Sequence, residues 1–179
     1  MANDLSFTVH IANTVAAGTK IVGWVLRTFR RRSRVVMLTL WKSLVLPLLD
    51  YCCQLWSPSS LGQIRLLENV QKEFLNKIWG MSRLNYWEQL STMKLYSLQR
   101  RRERYIIIYT WKVLEKLVPN FGIQCHTNPR TGRFCLVPHV RSSAAARVQT
   151  IRFASLSVNG PRLFNAMPKC VRNMNGCYL

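Results

Sequence analysis

Nine arginines in two short clusters are the residues of this chain best placed to do chemistry, and that chemistry is electrostatic. Arg27, Arg30, Arg31, Arg32 and Arg34 fall within eight residues, and Arg100, Arg101, Arg102 and Arg104 within five. A guanidinium offers its donors in a rigid fork that matches the oxygens of a phosphate. Little in the composition neutralises them. Twenty-six lysines and arginines face seven acids, for a formal net charge of +19, and no acid follows Glu115. A surface of that sign calls for a polyanion, either nucleic acid or an anionic membrane. Two merely solvated helix ends are the plainer reading of such runs, and the charge balance outweighs it.

Other chemistry finds less support. Three histidines and two aspartates, Asp4 and Asp50, lie scattered along the 179 residues, and no Cys–His or Ser–His–Asp set assembles from them. Cys125, His126, Cys135 and His139 are the one group with metal-ligand chemistry. Their spacing fits no common zinc module and lacks a CxxC, so they read as incidental loop residues. No cofactor and no metal are expected. His10 and Cys52 fall within apolar helical stretches and read as packed. Nearly all of Trp24, Trp41, Trp56, Trp79, Trp87 and Trp111 lie on or beside apolar stripes and read as core; Trp87 stays open as a base-stacking candidate.

The elements that position these residues read as mainly α: an amphipathic helical bundle followed by an irregular basic C-terminal segment. The organising stretch is 41–58, WKSLVLPLLDYCCQLWSP, where Leu40, Leu44, Leu48, Tyr51 and Leu55 recur at the spacing of one buried helical face. Pro47 lacks a donor and should kink that helix or divide it in two, and Ser57-Pro58 ends it. Before it, a helix over about 6–30 carries Phe7, Ile11, Val15, Val22, Leu26 and Phe29 on one stripe, and Ser33 can cap the helix that follows. Ser60 and Gln63 read as a capping box for a helix over 61–79, which buries Ile64, Leu67, Val70 or Gln71, Phe74, Leu75 and Ile78 and stops at Gly80. Asn85 and Glu88 cap a short helix carrying Leu90 and Met93. Ser97 begins a long one, whose first turns hold four arginines where negative charge is favoured. That placement points to a function or an acidic partner.

The domain boundary is expected at 118/119. Residues 119–152 read as basic and irregular, with short strands around 134–137 and loop or weak helix at 141–147. A short strand is expected over 153–158, and Gly160-Pro161 opens a last helical turn. The start of the chain lacks the basic and apolar regions of a signal peptide. The six cysteines therefore read as reduced, in a cytoplasmic or nuclear protein. Lys42, Pro47 and Asp50 interrupt the best candidate for a membrane span.

The central block Lys42, Ser43, Pro47, Asp50, Tyr51, Cys52, Trp56, Ser57 and Pro58 resembles the reverse transcriptase of LINE-type, non-LTR retrotransposons of the jockey-like sort. Three further blocks agree in order: 67–71 (LENVQ), Ser97-Leu98 with Arg101, Arg102 and Arg104, and Gly160 to Asn165 with Pro168. Asp4 to Ile11 also looks like the segment after that family's primer-contacting hairpin. The resemblance spans almost the whole chain. It implies a helical thumb over 1–118 and the connecting segment over 119–179, without fingers or palm.

That resemblance implies that the arginines of both clusters would hold the phosphates of RNA or of an RNA–DNA template–primer, non-specifically. The palm could come from another chain. Nucleotidyl transfer needs clustered carboxylates around two Mg²⁺ ions, and two distant aspartates cannot supply them, so a non-catalytic remnant of an RNA-directed DNA polymerase is expected. The alternatives are a basic amphipathic module for protein or anionic-membrane contact, or a pseudogenic product with no selected function.

Overall fold

The computed structural model describes residues 7–58, 60–120, 123, 125–127, 134–136 and 155–172. The expectations for Asp4, for His139, for 141–147 and for the opening of the 153–158 segment lie outside these residues. The fold is mainly helical, as the periodicity implied. Its elements are α1 (Thr8–Thr28), α2 (Arg34–Leu40), a π-helical turn (Trp41–Val45), α3 (Leu46–Asp50), α4 (Cys53–Trp56) and α5 (Leu61–Asn76). There follow α6 (Tyr86–Met93), α7 (Leu98–Leu114), β1 (Cys125–Thr127), β2 (Phe134–Leu136), α8 (Leu156–Ala166) and α9 (Lys169–Arg172). The chain forms two compact units, residues 1–53 with 58–102, and residues 54–57 with 103–179. This division falls inside α7, earlier in the chain than 118/119.

In the first unit, α1 packs against α5, α3 and the π turn. Gly18 permits the approach: a Cβ there would lie 3.2 Å from a Leu49 methyl and 3.5 Å from Val70. Trp41 and Phe74 stack at 5.0 Å in a core completed by Met37, Val45, Leu49, Leu67, Leu75 and Met81. Capping follows the sequence where short polar residues sit beside the helices. Asn85 and Glu88 form a complete capping box on α6. Ser60 Oγ accepts from the Gln63 N–H at 3.3 Å, but the Gln63 amide turns to Thr8 Oγ1 at 3.1 Å, so that box is half formed.

At Pro47 the central stretch passes from a π turn into α3 without leaving helical conformation. Just before it the ladder widens, and the Leu46 N–H donates to the Trp41 carbonyl. Such a π turn absorbs the missing donor and the ring's bulk. The break comes later, at Tyr51 and Cys52, where Cys52 takes a left-handed φ of 49°. The buried face is also one residue out of phase with expectation. Met37, Trp41, Val45, Leu49, Cys53 and Trp56 point inward, while Leu44, Tyr51 and Leu55 are exposed. Apolar residues occupy two adjacent faces of the run, so their spacing did not choose between them. His10 and Cys52, expected to be packed, are exposed.

Carboxylates of the first unit meet the start of α7. Glu68 Oε1 accepts the Gln99 N–H at 2.8 Å, placing a carboxylate at the start of α7, and its Oε2 accepts from the Tyr86 hydroxyl. Asp50 pairs with Arg101. An external acidic partner is not needed to account for this helix start.

In the second unit, Val113, Ile123 and Phe164 form a small core against Ile107, Trp111, Leu114, Val118 and Met167. Strands β1 and β2 pair antiparallel, placing His126 opposite Cys135. Helix α8 opens at Leu156, before Gly160-Pro161, so 156–158 is helix where a strand was expected. Gly160 is buried, and a Cβ there would come within 2.5 Å of Thr110 Oγ1. Tight packing of a side-chain-free residue keeps this Gly-Pro pair inside a helix that local propensity would break.

Candidate nucleic-acid interface

The first arginine cluster forms the end of α1, a short connection and the start of α2. Arg27 sits in the last turn of α1, where the helix dipole favours a cation. Phe29 is extended and ends the helix, and its ring meets the edge of Trp24 at 6.3 Å. Arg30 and Arg31 project into solvent, Arg32 is half-buried and Arg34 is exposed. None of the five makes an ion pair among the described residues.

A second loop holds this connection in place. The Trp79 N–H donates to the Arg32 carbonyl at 3.2 Å. Beside it, Gly80 has a φ of 77°, a conformation glycine takes without strain, and the Arg34 guanidinium lies 3.5 Å from where a Cβ would sit. Ile78 and Met81 are buried on either side, so they take the inward positions and leave Trp79 62% exposed. The buried Gln89 amide fixes the loop from below, its Nε2 lying 2.6 Å from Asn76 Oδ1, 2.9 Å from the Met81 carbonyl and 3.2 Å from the Leu84 carbonyl. Exposed Lys77 and Arg83 add charge, and neither 24–34 nor 77–83 contains a carboxylate. The whole array belongs to the first unit. Its arrangement can hold phosphates and offer an aromatic face beside them.

The second cluster separates into different roles. Arg102 is 2% exposed and donates from Nη2 to the Leu49 carbonyl at 2.7 Å. Burial pushes its guanidinium below the ordinary arginine range. Arg101 Nε meets Asp50 Oδ2 at 2.5 Å. These two arginines tie α7 to the end of α3: Arg102 is buried beyond the reach of a phosphate, and Arg101, half-buried, is held by Asp50. Arg100, in the first unit, and Arg104, in the second, are exposed. The phosphate-contact expectation thus narrows from nine residues to those with an accessible guanidinium. Beside Asp50, burial, with a contribution from that carboxylate, pushes the Cys53 thiol up to about 11 and leaves it unreactive at neutral pH.

The tryptophans also divide. Trp41 and Trp56 are buried, whereas Trp24, Trp79 and Trp87 are exposed. Reading nearly all of them as core is therefore corrected, because helix ends and loops carry half of them into solvent. Gln89 and Gly80 position the 77–84 loop, and sequence reasoning assigned neither that role. Gly80 read only as a helix stop, and a glutamine in a short helix carries no signal of burial. Among the described residues no group of three or more His, Cys, Asp or Glu could hold a metal ion, and no helix is long and apolar enough to cross a membrane. Comparison of the chain with models of known families, with curated proteins and with solved structures finds no match in any of the three.

Proposed function

We propose that this chain is a non-catalytic nucleic-acid-binding module that holds RNA or an RNA–DNA template–primer by its phosphates, a remnant of the thumb of a non-LTR retrotransposon reverse transcriptase. The observation that carries the binding reading is the exposed arginine array at residues 27–34, fixed by the 77–84 loop and free of carboxylates. The ordered motif blocks 42–58, 67–71, 97–104 and 160–168 support the origin. Asp50, one of the chain's two aspartates, is engaged in an ion pair with Arg101.

The test is fluorescence anisotropy of a labelled RNA–DNA primer–template, titrated with salt, for the wild type and an Arg30→Gln/Arg31→Gln/Arg34→Gln variant. For every duplex phosphate that the variant no longer neutralises, the log–log salt slope should flatten by roughly 0.9. A folded wild type that binds nothing at low salt would sink the proposal.

Contact with another polypeptide is the second reading. Leu44 and Tyr51, 38% and 74% exposed, leave part of the central helix's apolar surface uncovered. Concentration-dependent self-association, or capture of a separately expressed palm, would favour it.

A further inference from the structure

We infer that the arginine loop takes an unpaired stretch of nucleic acid, with a base stacked on Trp79, so that the interface prefers a single strand to a blunt duplex. This deepens the phosphate-binding reading and rests on it. Three features of the loop point the same way. The Trp79 indole is presented outward because Ile78 and Met81 occupy the inward positions on either side, so its exposure is built into the turn. The turn is held by the Met81 N–H to the Ile78 carbonyl, the Trp79 N–H to the Arg32 carbonyl and the Gln89 amide beneath, so little ordering remains to be done on binding. Cations share the two segments with the indole: the Arg32 carbonyl accepts from the Trp79 backbone, Arg34 lies against Gly80, and Arg30, Arg31, Lys77 and Arg83 are accessible.

An aromatic face among phosphate-binding cations is how proteins hold single strands without reading sequence. In a duplex the bases are already stacked on one another, so an indole adds nothing to phosphate contact there.

The test compares a short labelled oligouridine with a blunt RNA–DNA duplex of equal length, in wild type, Trp79→Ala, Trp79→Phe and the triple-glutamine variant. The Trp79 side chain is exposed and its backbone bond survives substitution, so all four proteins should fold, as circular dichroism melts would verify. Trp79→Ala should weaken oligouridine binding about tenfold and leave duplex binding unchanged. Trp79→Phe, which keeps a stacking face, should stay near wild type. Oligouridine binding unaffected by Trp79→Ala, or both ligands weakened equally, would overturn the inference while leaving the phosphate reading intact. A triple-glutamine variant that binds both probes as the wild type does would overturn the phosphate reading and this one with it.

Discussion

Arg102→Ala should unfold the first unit's junction between α3 and α7, whereas Arg100→Ala, two residues away, should do almost nothing. The Arg102 guanidinium donates to the carbonyl of Leu49, itself fully buried, at 2.7 Å. Truncation removes a charge-assisted hydrogen bond worth about 1.5–3 kcal/mol and leaves a buried acceptor to cost about 1–3 kcal/mol more. Release from desolvation offsets part of this, so a net loss of about 3 kcal/mol is expected, near the range for breaking a buried charged contact. For a unit of this size that shifts the melting temperature by roughly 10 °C or more. Arg102→Met, which keeps the apolar stem and drops the charge, should lose less. Arg100 is exposed, and its removal should stay within about 0.5 kcal/mol. Urea denaturation followed by circular dichroism measures all three. An Arg102→Ala protein as stable as Arg100→Ala, but with a flattened salt slope for nucleic acid, would refute this reasoning and return Arg102 to the phosphate contacts.

Gly160→Ala should destabilise the second unit by about 1–3 kcal/mol, because the new Cβ meets Thr110 Oγ1 at 2.5 Å. Adding Thr110→Ala should recover much of that in a thermal melt; no recovery would place the strain elsewhere. The Cys53 thiol is pushed up from its ordinary 9.0 to about 11, so the folded state holds a proton that the unfolded state has released. Its contribution to stability is full below about pH 9 and lost as pH rises through about 11. Chemical denaturation across that window should show a decline that is smaller in Cys53→Ala. In the native protein iodoacetamide should label Cys52 and spare Cys53 at pH 8, read by mass spectrometry. Gln89→Ala should loosen the 77–84 loop, speeding amide exchange at Trp79 and Gly80 while α5 stays protected.

How much of this was legible depends on whether the deciding signal was local. The helix-start residues Ser33, Ser60, Asn85 and Ser97 sit within a few residues of the turns they open, and the helices begin where those residues fall. The buried face of α5 was legible because polar residues alternate with apolar ones around it. In the central helix apolar residues occupy adjacent faces, and a π turn resets its phase at Trp41, so its inward face was misassigned by one residue. The roles of Arg101 and Arg102 depend on Asp50 and Leu49, which lie some fifty residues earlier, and no charge count could separate these two from Arg100. At the proposed interface the arginines were visible in the sequence. The loop that makes them a surface was not, because it rests on Gln89, a buried amide that looks like any exposed one.

The carboxylate at the head of α7 makes the start of that helix depend on another. Glu68 belongs to α5, thirty-one residues before the amide it accepts at Gln99. Taken out of the chain, the peptide 97–114 would carry three consecutive arginines, Arg100 to Arg102, near the end of a helix that repels them, and its first turns would fray. Only when α5 is in place does that end gain its negative charge, and only when α3 has formed do Arg101 and Arg102 find Asp50 and the Leu49 carbonyl. The first turns of α7 thus depend on contacts from α3 and α5, and the rate at which they become protected from exchange should follow the docking of those helices and not precede it.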